Sequence, residues 1–430
     1  MICNNITAEN GVLYFAGQDV TELAQKYGTP LYLMDEDKIR ESCRVYTEAF
    51  KKHFGETSRP LYASKANCFK RIYEIMREEN MGIDVVSSGE MYTAIQAGYD
   101  LSHAYFHSNN KTDADIAYGM DNNIGYFVAD NVEEIKAIEA EAGRRGIRQK
   151  VLLRLTPGID PHTYEAIATG KVDSKFGSAI ETGQAEEIAV FTMNQPHVEL
   201  MGFHCHVGSQ VFGEDIFERA AVVMLEFVAL MKNKHGFVPA QLDLGGGYGV
   251  RYVESDPYVD IPANIHKVAK FVKELAAKLN VPAPHILMEP GRSIVADAGM
   301  TLYTVGTVKK IPGYKNYASI DGGMTDNPRY ALYESKYTVY LANRMNEENT
   351  FTCDVVGRCC ESGDIIQPGV VMPEPNRGDI VAVCTTGAYN YSMASNYNRV
   401  PRPPVVMLRG GKSYVAVKRE TYADLVANDL

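Results

Sequence analysis

The chain has 430 residues, with 43 Lys+Arg against 54 Asp+Glu and a formal net charge of -11. That length exceeds one ordinary core and predicts a large domain of roughly 250 residues beside a smaller one, while the acidic balance excludes a basic nucleic-acid-binding surface. No apolar run approaches the ~20 residues of a membrane span, and the opening MICNNITAENGVLYF lacks a cationic stretch followed by a long apolar one, so a cytoplasmic protein with no membrane partner is expected. Cysteines at 3, 43, 68, 205, 353, 359, 360 and 384 form no CxxC pair, which predicts reduced thiols and no structural metal site.

In chain order, ENGVLYFAGQDV (9–20) reads as strand and TELAQKYG (21–28) as helix. From about residue 60, short β-branched or aromatic runs alternate with helical periodicity. The strands are LYASK (61–65), GIDVVSS (82–88), AYFHSN (104–109), IGYFVAD (124–130), KVLLRLT (150–156), LMGFHCHVGS (200–209), QLDLGGG (241–247) and HILMEPG (285–291). Amphipathic segments beginning near residues 69, 89, 114, 132, 185, 215 and 266 lie between them. Eightfold βα alternation predicts a (β/α)8 TIM barrel, with an open doubly wound sheet as the alternative. After residue 294 the rhythm becomes short strands separated by Gly, Pro and Asn turns, which predicts an all-β domain onto which the N-terminal strand folds back. The expected boundaries are 36–293 for the barrel and 1–35 with 294–430 for the β domain.

Unusual residues gather at one end of these strands. Lys65 closes the first; His206 and Ser209 close the sixth; Gly245, Gly246 and Gly247 close the seventh; Glu289, Gly291 and Arg292 close the eighth. Barrel active sites form at that end, and glycines near the last strands let backbone N–H groups approach a phosphate. A lysine in such a site can form a Schiff base with a carbonyl. Pyridoxal 5'-phosphate is the simplest single ligand that uses both features. Taken singly, Lys65 reads as a solvated charge, the glycines as a tight turn and His206 as a core histidine; their common location is what points to a ligand. In HCH, alternation turns Cys205 away from its neighbours and argues against zinc. A barrel aldolase using Lys65 on a sugar phosphate without a cofactor is compatible with the same residues.

The stretches YASKAN, TGKVDSKFG, HCHVGSQ, LDLGGGYG, EPGRSIVADAG, SIDGGMTDNPRYALY, CCESGD and GAYNYSMASNYN occur in this order. Together they resemble the fold-type III pyridoxal-phosphate-dependent decarboxylases from about residue 10 to 428. The resemblance implies an alanine-racemase-like barrel with a C-terminal β domain, and Lys65 as the lysine that holds the cofactor. It implies His206 stacked on the pyridine ring, Ser209, Gly246, Gly247, Gly291 and Arg292 at the phosphate, and Glu289 at the pyridine nitrogen. A carboxylate there keeps that nitrogen protonated and suits decarboxylation, whereas a racemase of this fold is expected to carry arginine.

By the same resemblance, Arg292, Arg329 and Tyr333 would bind a substrate carboxylate, Glu361 a distal amine, and Tyr389 both cofactor and substrate. Cys360 would be the proton donor. Cys360 and Glu361 would enter from a neighbouring subunit of a homodimer with shared sites; a buried structural thiol is the plainer account of Cys360. The branch most resembled acts on meso-2,6-diaminopimelate and yields L-lysine and carbon dioxide. Decarboxylases of lysine, ornithine, arginine or carboxynorspermidine are the alternatives. Tyr164, where the family often has histidine, and Tyr330, where it often has proline, depart from the pattern.

Overall fold

The computed structural model describes residues 1–159, 174–213 and 215–430, which fall into two compact units. Tyr164 and most of the TGKVDSKFG stretch lie outside the described residues. One unit comprises 43–249 and 259–291, the other 1–42, 250–258 and 292–430.

The first unit is the expected barrel. Strands Arg59–Ala63, Gly82–Val85, Ala104–Phe106, Tyr126–Ala129, Gln149–Thr156, Val198–His204, Gln241–Asp243 and His285–Met288 follow one another in parallel, and pairing of the last with the first closes the ring. A two-residue strand, Ser178–Ala179, adds to the side of Gln149–Thr156. Between the strands run helices Lys70–Glu78, Ser88–Gln96, Asp113–Asp121, Val132–Arg145, Gln184–Met193, Ile216–His235 and Ile261–Lys278. Their ends obey local chemistry. Val132–Arg145 is capped by the Asn131 side chain, carries Glu133 and Glu134 in its first turn and Arg144 and Arg145 in its last, and stops at left-handed Gly146. Gly202 lets the sixth strand lie against the seventh, because a Cβ there would sit 1.8 Å from the Gln241 carbonyl oxygen.

Inside this unit the segment after the third strand is pinned by a buried cation. Lys111 Nζ meets Glu134 Oε1 at 2.6 Å, with the two side chains 0 % and 3 % exposed. It also donates to the carbonyls of Val128 at 2.8 Å and Ser108 at 3.1 Å. Burial pulls the lysine pKa down and pushes the glutamate pKa up, and each charge offsets the other's penalty. Lys111→Met leaves Glu134 without its cation and is expected to cost about 3–5 kcal/mol, read as a lower urea midpoint at unchanged slope.

The second unit is built on sheet. Its strands run in the order Ile365–Met372, Phe351–Val356, Lys315–Ile320, Gly299–Ile311, Leu31–Asp35, Val405–Arg409 and Lys412–Val417, and Ile380–Cys384 joins Gly299–Ile311 to Val339–Leu341. Ile6–Glu9, Val12–Phe15 and Gln18–Asp19 form a separate small sheet. Leu13, Phe15, Leu33, Met300, Leu302 and Val406 share one apolar core; Tyr252, Tyr303, Val355, Ile366 and Val383 share another. Tyr252 explains why 250–258 belongs here: its ring enters the second core, and its carbonyl accepts from Thr338 N at 3.0 Å. The helix Glu36–His53 and the strands Leu31–Asp35, Lys315–Ile320 and Ile365–Met372 fall where no element was anticipated; the last contains Pro368 and Gly369, which read as a turn.

Candidate active site

Lys65 lies on a one-turn 3-10 helix, Ser64–Ala66, directly after the first barrel strand. Its two neighbours are buried and Lys65 itself is exposed. Tyr62 staples the turn by donating to the Asn67 carbonyl at 2.8 Å, and Ala63 N donates to the Pro290 carbonyl at 3.0 Å, tying it to the EPG turn after the eighth strand. Gly291 is required at that junction, where a Cβ would come within 2.9 Å of the Ala63 Cβ. The Lys65 cation acts on Asp84, Glu90 and His206, favouring the charged carboxylates and disfavouring the charged imidazole.

Glu289 stands at the centre of a buried polar pit. His107 Nε2 is 2.9 Å from its Oε1, and His204 Nε2 is 3.4 Å from its Oε2. His107 Nε2 is close to Oε1 but poorly directed at it, so among the described residues Oε1 receives no well-aligned donor. One ligating atom from each of His107, His204, Asp243 and Glu289 lies within 4.8 Å of the others. Burial opposes the Glu289 charge, but His107 and His204 override it and hold the carboxyl well below the usual carboxylate range. Burial drops His204 to about 4, so near neutral pH its support for Glu289 is a hydrogen bond from a neutral ring rather than a charge, and burial together with Glu289 pushes Asp84 up to about 7.

The glycine turn sits beside this pit. Gly246 has no room for a side chain, since a Cβ would meet the Glu289 carbonyl oxygen at 1.9 Å. Its N–H donates to His206 Nδ1 at 3.3 Å, which leaves the neutral ring's hydrogen on Nε2. Burial, reinforced by the Lys65 and Arg154 charges, keeps His206 well below its ordinary pKa. Gly247 adopts φ +125°, and Ser209 is half-buried.

The remaining candidates belong to the sheet unit and form a second cluster. Arg292 donates to the Tyr252 hydroxyl at 2.6 Å and lies 4.7 Å from the Tyr389 ring centre. The Arg329 guanidinium is 5.2 Å from the same ring and 4.8 Å from that of Tyr333. Arg329 is only 6 % exposed, and its Nε has no hydrogen-bond partner among the described residues. Tyr330 follows it, half-buried, on the short helix Arg329–Tyr333. The preceding segment is braced by Asp326, which accepts from the Tyr303 hydroxyl and from Gly323 N.

Cys360 and Glu361 join neither cluster by any hydrogen bond or ion pair among the described residues. Both are exposed on the loop after Phe351–Val356, with Cys360 N donating to Asn398 Oδ1 at 2.7 Å. Asp364 shapes that loop by accepting from Cys359 N at 2.7 Å and Met324 N at 2.6 Å. All eight cysteines are free thiols. Sequence reasoning passed over Asp84, His107, His204 and Asp243. Each is a polar residue in or beside an apolar barrel strand, and that contrast was the available signal.

Comparison with known proteins assigns this arrangement to a class. Residues 36–296 match the family described as "Pyridoxal-dependent decarboxylase, pyridoxal binding domain". A diaminopimelate decarboxylase of Bacillus subtilis (strain 168) is 43% identical, covering 98% of this chain and 96% of its own, and one of Staphylococcus aureus (strain COL) is 43% identical, covering 98% of each. The crystal structure of diaminopimelate decarboxylase from M. jannaschii in complex with L-lysine superposes with a TM-score of 0.91 at 32% identity, covering 99% of this chain and 98% of that one. This chain belongs to the diaminopimelate decarboxylase family.

Proposed function

We propose that this protein decarboxylates meso-2,6-diaminopimelate to L-lysine and carbon dioxide, using pyridoxal 5'-phosphate. The observation that carries the reading is Glu289, a buried carboxylate held ionised while, among the described residues, its Oε1 receives no properly directed donor. A protonated pyridine nitrogen is the donor such an oxygen suits. The other groups fit the same cofactor. Gly246, Gly247 and Gly291 stand after the last two barrel strands, where barrel phosphate sites lie, the Ser209 hydroxyl and the Arg292 guanidinium would add donors there, and neutral His206 offers a flat ring face.

When bound, the cofactor supplies an aldehyde carbon and a conjugated electron sink. Lys65 would supply the amine that holds the cofactor through its aldehyde. Glu289 holds the proton on the ring nitrogen throughout. Arg329, buried without an anionic partner of its own among the described residues, is suited to the distal carboxylate of the substrate, with Tyr333 and Arg292 in support; Tyr389 spans cofactor and substrate. Glu361 receives the distal ammonium and Cys360 gives the proton to Cα. Both are exposed in the single chain, as residues handed to a second copy are, so a homodimer with shared sites is part of the proposal. Among the described residues no helix is long and apolar enough to cross a membrane, and free thiols suit the cytosol.

The deciding experiment gives cofactor-loaded protein meso-diaminopimelate, lysine, ornithine, arginine and carboxynorspermidine in parallel and measures carbon dioxide and the amine formed. Absence of lysine from the first substrate would sink the reading. Arg329→Met should raise KM for diaminopimelate by roughly a hundredfold, the size of a lost bidentate charged contact, with the visible cofactor band retained.

A further inference from the structure

Asp243, at the end of the seventh barrel strand, is fully buried. Its Oδ1 accepts from Gly245 N at 2.8 Å, and its carbonyl accepts from Cys205 N at 2.9 Å. Among the described residues its Oδ2 has no hydrogen-bond partner and Glu289 Oε1 no well-aligned donor, and an oxygen of each carboxyl lies within 4.8 Å of the other. Two adjacent buried carboxyls share a single proton, because both cannot ionise in such a place, and the two lone pairs of Glu289 Oε1 let it accept from Asp243 as well as from a ring N–H.

We propose that Asp243 is a positioning residue for the reaction, a carboxylic acid that donates its proton to Glu289 while its other oxygen holds the glycine turn. The inference rests on the pyridoxal phosphate reading above and extends it. One residue then couples the group facing the ring nitrogen to the backbone expected at the phosphate. The donated hydrogen bond lowers the basicity of Glu289, so the proton between Glu289 and the ring stays on the ring. Burial, then the Glu289 charge, pushes Asp243 well above the usual carboxylate range, in keeping with this arrangement. His107, just after the third strand, and His204, at the end of the sixth, face Glu289, and Asp84 and Arg154 act on the same pit. The plainer alternative is that Asp243 only braces the Gly245 turn.

The two accounts separate in Asp243→Asn and Asp243→Ala. Asparagine keeps an acceptor for Gly245 N and a donor for Glu289 but cannot ionise. The protein is loaded with pyridoxal phosphate labelled with 15N in the ring, and the ring-nitrogen chemical shift and the cofactor dissociation constant are measured. Asp243→Asn is expected to keep the wild-type shift and to bind within roughly threefold, whereas Asp243→Ala should move the shift toward the unprotonated value and weaken binding by roughly ten- to a hundredfold. In a Glu289→Gln background, Asp243→Ala should move the shift no further.

An Asp243→Asn protein that loses the wild-type shift overturns the proposal, and this comparison stands even if the alanine variant does not fold. A further move of the shift in the Glu289→Gln background overturns it as well, since Asp243 would not then act through Glu289. Wild-type protein that acquires no cofactor band overturns both this inference and the reading beneath it; a normal band with an unchanged Asp243→Ala shift overturns the inference alone.

Discussion

Lys65→Ala is expected to cut lysine formation by at least roughly a thousandfold and to abolish the borohydride-sensitive visible band of cofactor-loaded protein, because no other amine replaces the lost nucleophile. The fold should not be the cause of the loss. Lys65 is exposed on its turn, so truncation opens no core cavity, and the Tyr62 and Ala63 hydrogen bonds that hold the turn use backbone carbonyls the substitution leaves in place. Glu289 and the glycine turn also remain, so the variant should still take up cofactor, as free aldehyde and with lower affinity. Absorbance after cofactor addition, circular dichroism and lysine release measured together check each part. A variant that turned over at the wild-type rate would remove Lys65 from the mechanism.

Glu289→Gln should have the next largest effect, a fall in kcat of roughly a hundred- to ten-thousandfold with a smaller change in KM. The substitution keeps size and removes charge. An amide facing the ring nitrogen no longer favours a proton there, and the electron sink weakens at the step where the carbon–carboxylate bond breaks. The cofactor-free protein adds a test of sign. Glu289 is held below its ordinary pKa, so its ionised form stabilises the fold above the unfolded carboxylate pKa and that contribution fades as pH falls through the folded value. Glu289→Gln should therefore be less stable than wild type near neutral pH, with the gap narrowing in acid. Urea unfolding at several pH values measures it.

The barrel was legible because each of its strands is a short β-branched or aromatic run bounded by turn residues, and the segments between them carry 3.6-residue periodicity. Lys65, His206 and Glu289 could be gathered from strand ends alone, since equivalent ends of a closed barrel meet. The pit beneath them could not. Asp84 and Asp243 stand on two different strands and His107 just past the end of a third, each a single polar residue with nothing local to tie it to the others; only closure of the ring brings them around Glu289. Ile365–Met372 escaped because Pro368 and Gly369 look like a turn, and Leu31–Asp35 because its wholly buried pattern lacks alternation. The stretch 250–258 gave no compositional sign of its membership in the sheet unit, which depends on Tyr252 finding an aromatic core distant in sequence.

The buried Lys111–Glu134 pair bears on how this family can drift. Lys111 grips the carbonyl of Ser108, one residue beyond His107, which approaches Glu289. Mutational loss of either partner strands the other's charge in the barrel wall and slackens the hold on a residue in the pit, so a single change is penalised twice. Exchange at these two positions is accordingly open to concerted replacement and closed to stepwise replacement. A library that randomises 111 and 134 together should recover active apolar pairs but not reversed ones, since a carboxylate at 111 would face the Val128 and Ser108 carbonyls. Libraries varying one site at a time should recover far fewer active variants.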